Sequence, residues 1–288
     1  MIWRDVVNRA ISELLEAGHT DALMQARWLA EQASGNEGSE YFGMLGMSPT
    51  AQQLARFDGM LKRRLAGEPL QYVLGSWGFR GLDIMVSPAV LIPRPETEVL
   101  AELAIDEVNS LGTPERTSPI LVVDLGTGSG AVGLAVAAEC PKAQVLLTDI
   151  STDALAVAQA NMAGLGSTAT RVSISEGSWY EALPQELAGK VDVLVSNPPY
   201  VGDSEPLPDE VVRWEPEIAL RGGTDGLDAV RSILAGAVRW LVPAGLVLLE
   251  LAPAQISAAK QLAEANGLVA DAVYKDLAGH ERVLACRC

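Results

Sequence analysis

The sequence predicts an α/β fold in which a doubly wound parallel sheet follows a small all-helical domain. Beyond about residue 75, short apolar runs of the length of buried strands alternate with segments of helical periodicity, a pattern typical of parallel βαβ units. Before that point the apolar residues recur at helical spacing. We therefore expect an all-helical domain over residues 1–75 and an α/β domain over residues 76–288, which begins with a connector over residues 76–95.

The first 66 residues carry two clear amphipathic patterns. A Ser-Pro pair at positions 48 and 49 is a typical start for the second helix. The apolar positions that define the two helices are Ile2, Val6, Ala10 and Leu14, and then Leu54, Phe57, Leu61 and Leu65.

The connector and the strands follow in order. Residues 75–95 are rich in glycine, proline and β-forming residues, which predicts a hairpin. The predicted strands are 120–124, 145–149, 172–174, 191–196 and 246–251, followed by the pair 268–274 and 281–286. The predicted helices between them are 131–139, 153–162, 227–241 and 254–265.

Composition limits the class of protein. A net charge of −16 opposes binding to phosphate backbones, and the basic run Lys62 to Arg64 is expected to be a solvated helix face, so we expect no direct contact with nucleic acid. No apolar run reaches membrane-spanning length. The three cysteines, at 140, 286 and 288, have no metal-like spacing and fit a reducing compartment. We expect a monomeric, cytoplasmic protein without a metal or a membrane span.

A glycine-rich loop follows the first predicted strand of the sheet. It comprises Gly126, Thr127, Gly128, Ser129 and Gly130 and opens a helix, so its backbone can approach a ligand at the helix N-terminus. Asp149 ends the next strand, 21 positions after Gly128, where a carboxylate accepts hydrogen bonds from ribose hydroxyls. The pattern predicts a nucleotide-type cofactor, and it fits NAD as well as S-adenosylmethionine.

Trp179 lies just beyond the third predicted strand of the sheet. An indole there can cover one face of an adenine by stacking, and it can equally be an ordinary core tryptophan.

The tetrapeptide Asn197-Pro198-Pro199-Tyr200 follows the fourth predicted strand, so it faces the same crevice as the glycine loop. Its two prolines fix the backbone and remove two donors, which leaves carbonyl groups free to accept hydrogen bonds. We expect the Asn197 side-chain oxygen and the Pro198 carbonyl to accept the two N–H groups of a planar amine or amide. Tyr200 would pack on that group and orient it for in-line methyl transfer.

No strong general base is required for this chemistry, because a methylated, protonated amide loses its proton readily. The chain has only two histidines, His19 and His280, and both are expected to be exposed or capping residues rather than catalysts.

The combination of the glycine loop with Asn-Pro-Pro-Tyr resembles amino-methyltransferases that act on glutamine amides or on adenine N6. Further segments make the sequence similar to the bacterial peptide chain release factor N5-glutamine methyltransferases, and the likeness spans the whole chain. These segments are Gly67 to Gly75, Trp77 to Phe79, Val86 to Glu98, Glu215 to Leu220 and Asp276 to Arg282.

This resemblance implies a class I (Rossmann-like) S-adenosylmethionine methyltransferase domain behind an N-terminal substrate-recognition domain. The substrate would be the glutamine of the Gly-Gly-Gln motif in release factors, and S-adenosylhomocysteine would be a product. By position, residues 126–130, Asp149, Trp179 and Asn197 would bind the cofactor, Asn197 to Tyr200 would hold the glutamine, and Arg94 to Glu98 would line the methionine end. The Pro-Arg-Pro-Glu within that last segment can equally be the start of a capped helix.

Three alternatives make different predictions. An adenine-N6 methyltransferase of nucleic acid shares the tetrapeptide but needs a basic recognition region, which this acidic chain lacks. An NAD-dependent oxidoreductase shares the glycine loop but gives no reason for Asn-Pro-Pro-Tyr. For a non-catalytic module, substitution of Asn197 would leave every activity unchanged.

Overall fold

The computed structural model describes all 288 residues and contains eleven α-helices and nine β-strands. The helices are α1 (Trp3–Glu16), α2 (Ala22–Ser34), α3 (Ser39–Met44), α4 (Ala51–Leu65), α5 (Leu70–Leu74), α6 (Thr97–Leu111), α7 (Ala131–Glu139), α8 (Thr152–Gly164), α9 (Asp209–Trp214), α10 (Asp228–Trp240) and α11 (Ile256–Ala265). The strands are β1 (Ser76–Phe79), β2 (Leu82–Met85), β3 (Ile120–Leu125), β4 (Ala143–Asp149), β5 (Val172–Glu176), β6 (Val191–Ser196), β7 (Leu241–Glu250), β8 (Val269–Lys275) and β9 (Glu281–Arg287).

The chain forms two compact units. One, which we call the helical unit, comprises Met1–Ser76 together with Asp209–Trp214. The other, the sheet unit, comprises Trp77–Pro208 and Glu215–Cys288. The helical unit thus takes up a short segment, α9, from far along the chain.

The helical unit has its own apolar core, built from one face of each of its longer helices. Trp3 of α1 meets Phe57 of α4 edge to face, with ring centroids 5.9 Å apart. Helix α4 begins with a capping box in which Thr50 Oγ1 accepts from the Gln53 backbone N–H. The two helices predicted from the apolar periodicity of the first 66 residues are therefore present as α1 and α4.

Arg64 departs from the solvated face that the basic run predicts. Its side chain is buried, its Nε donates to Gln25 Oε1 at 2.9 Å, and its Nη1 donates to Glu210 Oε1 of α9 at 2.9 Å. Its Nη2 lies 3.0 Å from His19 Nδ1. Partial burial and the Arg64 charge lower the pKa of His19, so the imidazole is neutral and accepts this hydrogen bond. A charged side chain without such partners would be too costly to bury.

The sheet unit contains a seven-stranded sheet in the order β5-β4-β3-β6-β7-β9-β8. The first five strands of this order are parallel to one another, and β9 pairs antiparallel with both β7 and β8. The predicted α/β class is therefore confirmed. Strands β1 and β2 form a separate two-stranded sheet in the connector.

The sheet order fixes where a ligand can bind. The chain proceeds from β3 outward through β4 to β5, and then returns to place β6 on the opposite side of β3. The carboxyl ends of β3 and β6 therefore flank the topological switch point, where ligands bind in open α/β sheets. None of the eleven helices has the length and apolar character that crossing a bilayer requires.

Candidate active site

A cavity of about 400 Å³ opens in the sheet unit at the carboxyl ends of β3, β4 and β6. It is lined by residues from the three strand ends, from the connector and from the start of α10. Four of the five glycine-loop residues, Gly126 to Ser129, line the cavity, together with Asp149, Trp179, Asn197 and Pro199.

The glycine loop is held by hydrogen bonds at its base. The Thr127 backbone N–H donates to the Thr148 carbonyl at 2.8 Å, and Gly130 closes a turn onto Thr127. Gly128 has φ of +55°, a conformation that side-chain-bearing residues rarely adopt, and its N–H donates to Asp149 Oδ2 at 2.9 Å. The loop is therefore fixed in shape before any ligand binds.

Asp149 is placed with free hydrogen-bonding capacity. Its Oδ2 accepts from the Gly128 N–H, and its Oδ1 accepts from the Ser151 N–H at 2.9 Å. A carboxylate offers about four lone-pair positions, so each oxygen can accept one more hydrogen bond. The two backbone bonds orient the carboxylate toward the cavity edge at the end of β4.

Asp124 is a cavity residue that the sequence pattern did not single out. It is buried at the end of β3, where Thr127 Oγ1 donates to its Oδ2 at 2.6 Å and the Gly133 N–H donates to the same oxygen at 3.0 Å. Burial raises the pKa of Asp124 to about 6 despite these two donors. The sequence signal that could have identified Asp124 is its position as an aspartate at the end of a buried apolar strand.

Trp179 is half-buried beside the glycine loop. Its backbone has φ of +46°, which is unusual for a tryptophan. A β-carbon built on Gly126 would lie 3.5 Å from the Trp179 ring, so the indole covers the glycine backbone directly. The ring thus forms one wall of the cavity at the first glycine of the loop.

Asn197 follows β6 directly and is braced from two sides. Its Nδ2 donates to Thr97 Oγ1 at 3.2 Å. The preceding residue, Ser196, donates from Oγ to the Leu125 carbonyl at 2.6 Å and so ties the end of β6 to the end of β3. Asn197 and the glycine loop therefore lie on adjacent strands at one edge of the sheet.

The remainder of the tetrapeptide is only partly on the cavity. Pro199 lines it, whereas Pro198 is buried and Tyr200 is half-buried, and neither is among the lining residues. Burial raises the pKa of Tyr200, and the nearby Glu250 charge raises it further. The Tyr200 phenol is therefore neutral at physiological pH.

Two other segments fix the backbone of the tetrapeptide. Gln255 Nε2 donates to the Tyr200 carbonyl at 2.8 Å and to the Gly226 carbonyl at 3.2 Å. A β-carbon on Gly222 would lie 2.4 Å from the Pro199 carbonyl oxygen, so the two backbones are in direct contact. These contacts make the tetrapeptide a rigid element.

Of the segment Arg94 to Glu98, only Thr97 lines the cavity. Arg94 Nη2 instead pairs with the buried Glu215 carboxylate, which also accepts from the Ile92 N–H at 3.3 Å. This ion pair joins the connector to the segment that follows α9. The role of Thr97 beside Asn197 could not be seen in the sequence, since no local pattern connects positions 97 and 197.

Comparisons with known proteins define the class. The family model described as "Methyltransferase small domain" matches residues 111–213. The solved structure of a methyltransferase from Pyrococcus furiosus superposes with a TM-score of 0.52 at 18% identity, covering 83% of this chain and 98% of that one, and it shares the fold. With the glycine loop at the switch point of the sheet, these matches define a methyltransferase of the Rossmann-like class.

More specific matches define the family. The model described as "PrmC N-terminal domain" matches residues 5–75. The release factor glutamine methyltransferase of Cereibacter sphaeroides is 38% identical over 285 residues, which is 98% of this chain and 97% of that one. The enzyme of the same name from Xylella fastidiosa strain 9a5c is 44% identical over 233 residues, 81% of each chain. The chain belongs to the release factor glutamine methyltransferase family, which confirms the resemblance that its motifs indicate.

Proposed function

We propose that this protein binds S-adenosylmethionine and transfers the methyl group to the side-chain amide nitrogen of the glutamine in the Gly-Gly-Gln motif of peptide chain release factors. The observation that carries the proposal is the placement of Asn197 beside the glycine loop and Asp149, at one end of three adjacent parallel strands. The names of the relatives support the same substrate.

The residues present fit the adenosyl part of the cofactor. Asp149 retains lone pairs that can accept the two ribose hydroxyls, because its backbone partners occupy only one position on each oxygen. The Trp179 ring lies against Gly126, at van der Waals distance from where a β-carbon would stand, and the indole can stack on an adenine. Thr127, Gly128, Ser129 and Gly130 contribute the backbone of the loop at the start of α7.

When bound, S-adenosylmethionine supplies an electrophilic methyl group on a sulfonium, and S-adenosylhomocysteine is the product that leaves. The protein has to orient a poor nucleophile, because the lone pair of an amide nitrogen is delocalised. We assign one N–H of the glutamine amide to Asn197 Oδ1 and the other to the Pro198 carbonyl. Two fixed acceptors set the amide plane and stabilise the positive charge that develops on nitrogen.

Tyr200 completes the acceptor site in this proposal by packing on the planar amide. Gln255 fixes the Tyr200 carbonyl, so the ring is attached to a braced backbone. The methylated amide loses its extra proton to solvent without a dedicated base. Both histidines fit this view, since His19 belongs to the helical unit and His280 is exposed in a turn.

We assign residues 1–75 to recognition of the release factor. This segment folds around its own core, and a protein substrate requires a specific surface beyond the cavity that receives the glutamine. A cytoplasmic location would follow from such a substrate.

The test is mass spectrometry of the Gly-Gly-Gln peptide from an unmodified release factor after incubation with S-adenosylmethionine. We expect the wild-type protein to add one methyl group to the glutamine. Asn197→Ala should lower the rate by about 100-fold or more, as expected for loss of a group that stabilises the transition state. Asn266→Ala, which removes an asparagine after α11, is the matched control and should retain the rate.

Two results would contradict the proposal. If the wild-type protein binds S-adenosylmethionine but leaves the glutamine unmodified, the substrate assignment is wrong, and adenine in nucleic acid is the next acceptor to test. If it binds NAD and not S-adenosylmethionine, the cofactor assignment is wrong.

A further inference from the structure

The chain before α10 lies directly against the tetrapeptide. Val201, the residue after the tetrapeptide, forms an isolated parallel bridge with Arg221. The Val201 N–H donates to the Leu220 carbonyl at 2.9 Å, and the Gly222 N–H donates to the Val201 carbonyl at 2.9 Å. The two stretches of chain therefore run side by side, and three of the seven residues in the 220–226 segment are glycines.

Two glycines of the 220–226 segment touch two carbonyl groups of the tetrapeptide. A β-carbon on Gly222 would lie 2.4 Å from the Pro199 carbonyl oxygen, and one on Gly226 would lie 2.2 Å from the Tyr200 carbonyl oxygen. In each case the α-hydrogen in that direction points at the oxygen, a contact of the kind found between neighbouring strands. Both glycines are buried, so a side chain at either position would displace the tetrapeptide backbone.

These contacts distinguish the carbonyl groups of the tetrapeptide from one another. The Pro199 oxygen lies against the 220–226 segment, and so does the Tyr200 oxygen, which also accepts from Gln255 Nε2 at 2.8 Å. The Pro198 carbonyl accepts no hydrogen bond from the backbone or from a side chain. An oxygen with both lone pairs free can accept an N–H of a ligand. Of these three carbonyls, that of Pro198 is therefore the one left for the glutamine amide.

We propose that Gly222 and Gly226 are positioning residues for methyl transfer. By holding the second half of the tetrapeptide against the 220–226 segment, they fix its first half, Asn197-Pro198, where it accepts the two N–H groups of the glutamine amide. This inference rests on the proposed function for the identity of the substrate. It assigns to the two glycines a role that depends on their having no β-carbon.

The two prolines carry a displacement from one half of the tetrapeptide to the other. The pyrrolidine rings of Pro198 and Pro199 hold φ near about −65°, so the chain between Asn197 and Tyr200 has few torsions that can change. A shift of the Pro199 carbonyl is therefore not absorbed locally. It moves the Pro198 carbonyl and Asn197, and a displacement of about 1 Å is enough to lower a rate by about 100-fold.

Gly222→Ala tests the contact without changing the backbone preference. Gly222 does not have a positive φ, so alanine there is strained only through its contacts with the Pro199 and Gly226 carbonyls. We expect kcat and kcat/KM on the Gly-Gly-Gln peptide to fall together by about tenfold or more, because a displaced acceptor loses an interaction made in the transition state. The dissociation constant of S-adenosylmethionine should stay within about threefold of wild type, since the glycine loop and Asp149 belong to other strand ends.

Gly245→Ala is the matched control for a loss of stability alone. Its β-carbon would also meet a backbone carbonyl, that of Val242 at 2.9 Å, but in the first half of β7 and away from the cavity. This substitution should destabilise the fold and leave kcat within about twofold of wild type. Wild-type kcat in Gly222→Ala, or an equal loss of kcat in Gly245→Ala, would overturn the inference.

Gln255→Ala is a second variant that removes a contact instead of adding an atom. It releases the Tyr200 and Gly226 carbonyls, which Gln255 Nε2 joins, and it does not crowd the core. We expect kcat to fall in the same direction as in Gly222→Ala, with KM for the peptide unchanged. If Gly222→Ala does not fold, this variant decides, and wild-type kcat in Gln255→Ala would then refute the inference.

Another measurement does not depend on the substrate. In the free protein, the side-chain NH2 resonances of Asn197 and the ring resonances of Tyr200 should shift in Gly222→Ala and in Gln255→Ala, and not in Gly245→Ala. Unshifted resonances in Gly222→Ala would refute the inference, even if the wild type methylates the peptide. Shifted resonances without methylation by the wild type would support the positioning of the tetrapeptide and contradict only the proposed substrate.

Discussion

Gly133 lies so close to Leu147 that a β-carbon on Gly133 would stand 2.2 Å from Leu147 Cδ2. The same β-carbon would be 3.1 Å from Asp124 Oδ2. Gly133 is the third glycine of the G-x-G-x-x-G pattern that starts at Gly128, and its place on α7 allows this helix to pack closely on β4. The position of α7 therefore depends on the absence of one methyl group.

We expect Gly133→Ala to lower the free energy of unfolding by about 1–3 kcal/mol, the usual range for overpacking a core. It should also weaken binding of S-adenosylmethionine, because displacement of α7 moves the glycine loop. Urea unfolding and calorimetric titration measure the two effects.

Gly59→Ala is the control for this substitution. Gly59 lies on the exposed face of α4, where a β-carbon would meet nothing within 4 Å. Alanine there should stabilise the protein by up to about 1 kcal/mol, since glycine is a poor helix former. Equal effects of the two substitutions would show that α7 tolerates the added methyl group.

The arrangement at the strand ends is the part of the site that the sequence could predict. Strand-length apolar runs that end in Asp124, Asp149 and Ser196 imply parallel strands whose carboxyl ends meet at one edge. The glycine loop and Asn197 follow such runs directly, so their proximity needs no long-range information. The predicted terminal strand pair is likewise present as β8 and β9.

Contacts between distant segments could not be predicted in this way. Thr97 and Asn197 are 100 positions apart, and Arg64 and Glu210 are 146 positions apart, so no local pattern relates the members of either pair. Helix α6 was not among the predicted helices, although Leu100, Ala104 and Val108 recur at helical spacing and the Pro-Arg-Pro-Glu before it is compatible with a capped helix start, which the structure places at Thr97. Helix α9 was also not predicted, because it is too short to show periodicity.

Asn161 should be sensitive to a change of one atom. It lies on α8, where its Oδ1 accepts from the Met85 N–H at 2.7 Å, and its Nδ2 donates to the Met85 carbonyl at 3.0 Å and the Ser129 carbonyl at 2.8 Å. It thus joins the connector hairpin to the glycine loop. Asn161→Asp keeps the shape but directs a carboxylate at two carbonyl oxygens, so we expect a loss of about 2–4 kcal/mol in urea unfolding.

Asn266→Asp provides the comparison for this change. Asn266 Nδ2 makes one hydrogen bond, to the Leu262 carbonyl at 2.8 Å, at the partly exposed end of α11. We expect a loss of about 1 kcal/mol or less. If the two substitutions were equally destabilising, the Asn161 hydrogen bonds that join the hairpin to the loop would contribute no more to stability than the single Asn266 bond.

Gln255 should affect catalysis more than stability. Gln255→Glu replaces the donor to the Tyr200 and Gly226 carbonyls with a carboxylate oxygen, which repels both. The tetrapeptide backbone would move away from α11, and we expect kcat for methyl transfer to fall by about tenfold or more. Gln261→Glu adds the same charge on the exposed side of α11 and should leave kcat within about twofold of wild type. Comparable kcat values for the two variants would show that Gln255 does not hold the site.

The pH dependence of stability should change when Glu250 is replaced by a residue that cannot ionise. Because burial raises the pKa of Glu250 to about 7, the folded protein retains a proton that an unfolded chain releases near pH 4.3. The stability from this proton is fully present below the unfolded pKa and is lost as the pH rises through about 7.

Glu250→Gln removes that titration while keeping the shape of the side chain. The free energy of unfolding of the variant minus that of wild type, measured by urea unfolding, should rise between pH 5 and pH 8 by up to about 3 kcal/mol. The buried Asp124, whose pKa is also raised, is present in both proteins and cancels in this difference. Glu264→Gln, on the exposed side of α11, should show a much smaller change. A constant difference between Glu250→Gln and wild type across this range would mean that Glu250 ionises in the folded protein as readily as in the unfolded chain.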